Sequence, residues 1–82
     1  MRNVKIGQDI ISFFFERMDH HGATTQDKVN FRNTYSDIYF FLLDGEISDA
    51  LNLMKEIEEP LYLTRAELDA IINRMENLIG GE

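Results

Sequence analysis

The chain has 82 residues, 44% of them apolar, no cysteine and a net charge of −7. That length suits one domain, residues 1–82, with a small core, and the apolar share is too high for a disordered chain. Without cysteine there is no disulfide, thiolate metal site or thiol nucleophile.

The first predicted helix runs from about Gln8 to His21. Ile11, Phe14, Phe15 and Met18 recur at the spacing of one helical face, Ile10 and Phe13 widen it, and Gly22 is a natural stop. The second runs from about Thr25 to Leu43, capped by Thr24 or Thr25, with Asp27 favourable in its first turn. Its main stripe is Phe31, Tyr35, Ile38 and Leu42, while Val29, Phe40 and Leu43 lie nearly opposite. The run Tyr39-Phe40-Phe41-Leu42-Leu43 goes all the way round the helix. Such a helix is either central in a bundle or holds one side open for a partner.

Asp44-Gly45 ends that helix, and a shorter third spans about Glu46 to Ile57, with Ile47, Ala50, Leu51, Met54 and Ile57 on one face. Pro60 blocks its continuation, and Glu59-Pro60-Leu61-Tyr62-Leu63 reads as extended. The fourth opens on a capping box, Thr64-Arg65-Ala66-Glu67. Its stripe is Leu68, Ile71, Ile72, Met75, Leu78 and Ile79, and Gly80-Gly81 ends it. The expected fold is all-α, a compact up-and-down bundle of four helices with the third short.

Around the second turn, Phe41, Gly45, Ala50-Leu51 and Pro60 resemble one tetratricopeptide unit. The Ala-to-Pro spacing is shorter than that family's, and Asp37-Ile38 stand where it carries Leu-Gly. One unit is present where a stack needs about three. The resemblance implies a helical hairpin there and assigns the chain to no family.

No catalytic constellation is legible. Ser12, Ser36 and Ser48 have no base at helical spacing, and no phosphate-binding glycine loop occurs. Glu16 and His20 have metal-ligand spacing near Asp19, but His20-His21 at a helix end is equally the dipole's preference. Asp44-Gly45-Glu46-Ile47-Ser48-Asp49 fails as a calcium loop, with Asp49 at the glycine position and Lys55 where a glutamate belongs. The expectation is no enzyme, metal or cofactor.

Charge is uneven. Residues 1–36 carry four acids and five bases, net +1, and residues 37–82 eleven acids and three bases, net −8. This field repels nucleic acid and anionic lipid and favours a basic protein partner. Asp44, Glu46, Asp49, Glu67 and Asp69 suit helix starts, but Glu56, Glu58 and Glu59 crowd the end of the third helix, against its dipole, with only Lys55 nearby. The expected partner-binding set is Phe13, Phe40, Asp44, Glu46, Asp49, Glu56, Glu58 and Glu59.

No stretch approaches the ~20 apolar residues of a membrane span. The run Ile10 to Phe15 is too short for a secretion signal, so a cytoplasmic protein is expected. The functional expectation is a small acidic interaction module, a regulator, inhibitor or adaptor of the kind mobile elements encode. The alternatives are a homo-oligomeric assembly subunit, a homodimer in the simplest case, and a nucleic-acid mimic filling a basic groove.

Overall fold

The computed structural model describes residues 3–80, and its regular elements are five helices rather than the expected four. The all-α class holds.

Helix α1 spans Val4–His20 and begins before the expected Gln8. Asn3 is its N-cap, its side-chain oxygen accepting from the Ile6 amide at 3.1 Å. Gly7, which weakens a helix reading, lies inside α1 because the main chain of the next-but-one helix passes there. A β-carbon at Gly7 would stand 1.7 Å from the Leu42 carbonyl oxygen.

The expected second helix is two: α2, Thr25–Thr34, and α3, Ser36–Leu43. Tyr35 interrupts them at φ −108°, ψ 39°. Its amide still donates to the Phe31 carbonyl at 2.9 Å, and its own carbonyl accepts from Tyr39 at 2.9 Å. The cause lies in tertiary structure. The Tyr35 hydroxyl accepts from the Leu61 amide at 3.0 Å, tying the break to a distant loop. Thr24 caps α2 in a reciprocal box with Asp27.

Helix α4 covers Ile47–Lys55 and α5 Arg65–Gly80. Gly45, at φ +77°, makes the turn between α3 and α4, and its carbonyl accepts from the Asn3 amide at 2.8 Å. A β-carbon there would stand 2.5 Å from the Asn3 nitrogen, so only glycine fits. Helix α4 stops short of the expected Ile57, and residues 59–63 are not extended as expected. Residues 56–64 form a bent loop in which Tyr62 adopts φ +65°, a conformation bulky residues avoid. The buried Leu63 next to it anchors the loop in the core.

Helices α1, α3, α4 and α5 contact one another in a closed ring, and α2 packs on α3. The ring encloses one apolar cluster that includes Ile10, Met18, Leu42, Met54, Leu68, Ile71 and Met75. Phe31 joins it from α2, with its ring 5.1 Å from that of Phe14. Leu78, expected in the α5 stripe, is exposed, and in that last turn Ile79 alone packs on the core. The radius of gyration is 11.9 Å, against about 11.7 Å expected for a folded chain of this length. Among the described residues no helix is long and apolar enough to cross a membrane.

Candidate functional site

The break at Tyr35 makes α3 a short helix with two unlike sides. Ile38 and Leu42 face the core, and Tyr39 and Phe41 are half-buried. Phe40 is 60% exposed and Leu43, one turn on, 36%. Tyr39, Phe41 and Leu42 of the apolar run are therefore packed, and Phe40 and Leu43 face solvent. The Phe40 ring meets Tyr39 edge-on at 5.9 Å, and the Arg32 guanidinium lies 5.7 Å from the Tyr39 ring centre. The exposed ring is thus braced from one side.

Acidic groups flank this face. Asp37, one turn before Phe40, is exposed, and no cation pairs with it among the described residues. It shares an open cleft with Thr34, Ser36, Leu53, Glu56 and Ile57. The cleft joins the start of α3 to the end of α4, so Asp37 and Glu56 share one lining. Asp37 escaped the sequence reading, which placed it inside a long helix. The missing signal was the break at Tyr35.

The other expected residues divide. Glu56, Glu58 and Glu59 are exposed, and no cation pairs with their side chains among the described residues. Asp49 is exposed in the first turn of α4. Asp44 and Glu46 flank the α3–α4 turn as C-cap and N-cap, and both are engaged in polar or electrostatic interactions. Phe13 does not join Phe40. Its half-buried ring packs against the core and is approached by the guanidiniums of Arg17 and Arg74, at 5.8 and 5.3 Å.

The end of α4 has its compensation from a residue distant from Lys55 in the chain. Arg65, at the start of α5, reaches back and donates to the carbonyls of Ile57 at 2.6 Å and Glu58 at 3.3 Å. It also pairs with Asp69 at 3.2 Å. Lys55 bridges from α4 to Glu76 of α5 at 3.3 Å. The cation at Arg65 offsets the unfavourable charge around the helix end. It leaves the three glutamate side chains facing outward.

Of the two histidines, His21 is tied into the fold. His21, the C-cap of α1, meets Glu67 at 2.6 Å. The Glu67 carboxyl is held below its usual range, first by the Thr64 amide that donates to it at 2.9 Å and then, against some burial, by His21. This is the expected capping box, completed by the Glu67 amide donating to the Thr64 hydroxyl at 3.2 Å. Glu16 contacts Arg17, and Asp19 pairs with Lys28 at 2.6 Å. Among the described residues no three His, Asp or Glu side chains converge on a metal-sized site.

Comparison with family models, curated proteins and solved structures yields no match. The surface is therefore read from its own chemistry.

Proposed function

We propose that the chain is a non-enzymatic interaction module that captures a basic protein partner on the outer side of α3. Phe40 and Leu43 are the apolar anchor. Asp37, Glu56, Glu58 and Glu59 supply the field that attracts and orients cationic side chains. The observation that carries the reading is the 60% exposure of Phe40. A braced, exposed aromatic ring one turn from Asp37, which shares a cleft with Glu56, has the composition of an interface centre and the start of its rim. A cytoplasmic site of action belongs to the same proposal and rests on the absence of cysteine.

The same exposed ring favours a second reading, a homo-oligomer closed through α3. Sedimentation equilibrium at low and high salt separates the two. A monomer at both salts supports a foreign partner. An oligomer at both salts that Phe40→Asp reduces to a folded monomer supports self-association. For the partner reading, the bait is the unsubstituted chain and the control is the triple variant Glu56→Lys, Glu58→Lys, Glu59→Lys. Partners retained by the first and lost by the folded control support the acidic field. Equal retention by both removes it from the mechanism.

A further inference from the structure

The helix break at Tyr35 and the open cleft beside it belong together. An unbroken helix would send the amides of Ser36, Asp37 and Ile38 to the carbonyls of Arg32, Asn33 and Thr34. None of these three bonds is made across the break. Helix α2 therefore ends here with open carbonyls and the negative end of its dipole. Arg32, the basic residue of its last turn, lies by the Tyr39 ring and does not line the cleft.

The cleft holds about 210 Å³, well above the ~10–15 Å³ that one water needs, so a side chain fits. Asp37 from α3 and Glu56 from the end of α4 are its two charged groups, and no cation lines it. Ile38, Leu53 and Ile57 give it an apolar part continuous with the core. This lining suits a group that is apolar along its stem and cationic at its tip. Lysine and arginine both have that form, and arginine suits it better. Its planar fork carries five donors, enough for carboxylates on two helices and an open carbonyl. Its weaker hydration also lowers the cost of leaving water for a partly apolar cleft.

We propose that this cleft is the seat of one arginine side chain of the basic partner. The inference rests on the reading of the α3 surface and deepens it. Phe40 and Leu43 anchor the partner, and the cleft selects a single residue of it.

The test is nuclear magnetic resonance of the backbone amides in the full chain. It is titrated separately with N-acetyl-arginine amide and N-acetyl-lysine amide, ionic strength being matched with sodium chloride. Saturable shifts are expected at residues 36–38 and 53–57, with the arginine compound binding more tightly. Asp37→Asn and Glu56→Gln, both at exposed positions, should each weaken binding about threefold, the share of one exposed ion pair. Asp9→Asn removes the same charge from an exposed position of α1 outside the cleft, and should leave binding unchanged. Shifts that sodium chloride alone reproduces, equal losses in all three variants, or lysine binding as tightly as arginine would overturn the proposal. The blocked amino acids carry no apolar anchor, so those outcomes would leave the Phe40 anchor standing. A partner protein that binds Phe40→Asp undiminished would remove the anchor and leave the seat.

Discussion

Phe40 and Phe14 are both phenylalanines on apolar helix faces, yet truncating them should have unlike consequences. Phe14 is 4% exposed and Phe40 60%. A phenylalanine presents about 200 Å², so Phe40 shields roughly 80 Å² within its own chain, worth ~2 kcal/mol at most. Alanine's better helix propensity returns about 0.5 kcal/mol. Phe40→Ala should therefore cost about 1.5 kcal/mol, against about 3–5 kcal/mol for Phe14→Ala, which opens a cavity. The whole domain has only about 4–12 kcal/mol to lose. Urea unfolding followed by circular dichroism reads the difference. With a slope of about 1 kcal/mol per molar, Phe40→Ala should move the midpoint by about 1.5 M, and Phe14→Ala should abolish most of the transition. The exposed ~120 Å² of the ring should appear in binding instead, worth ~3 kcal/mol or roughly a hundredfold in affinity. If Phe40→Ala destabilises the isolated chain as much as Phe14→Ala does, the ring is core and the α3 surface is not an interface.

Three further expectations test the frame that holds this surface. Gly7→Ala gains about 1 kcal/mol of helix propensity, but its β-carbon would meet the Leu42 carbonyl at 1.7 Å. We expect a net loss of at least ~2 kcal/mol as α1 and α3 are pushed apart; an unchanged or raised melting temperature contradicts the close crossing. Arg65→Met should cost about 1 kcal/mol and speed amide exchange across residues 56–64, because the Ile57 and Glu58 carbonyls lose their donor. Glu67 has its folded-state carboxyl shifted downward, so its ionised form adds stability that is fully present above the ordinary glutamate range and fades as pH falls through the folded value. The stability gap between the native chain and Glu67→Gln, from melts at stepped pH, should be flat near neutrality and close below about pH 4.3; a gap that widens on acidification reverses the assigned sign.

What was legible in the sequence is what is decided within a few residues along the chain. The apolar periodicity of α1, α4 and α5 needs only neighbours three and four apart. The Thr64–Glu67 box and the Gly45 turn are equally local. These determined the all-α class and most of the buried residues. Long-range contacts decided the rest. The Tyr35 break depends on a hydroxyl bound to Leu61, and the tolerance of Gly7 inside α1 on a backbone carbonyl at Leu42. Arg65 looked like a surface charge at a helix start until the fold brought it onto the carbonyls ending α4. Phe13 and Phe40 were indistinguishable as surplus aromatics. The fold set one against the core beneath two arginines and left the other facing solvent. Helical periodicity specifies which residues share a face, but only the packing of other helices decides which face is covered.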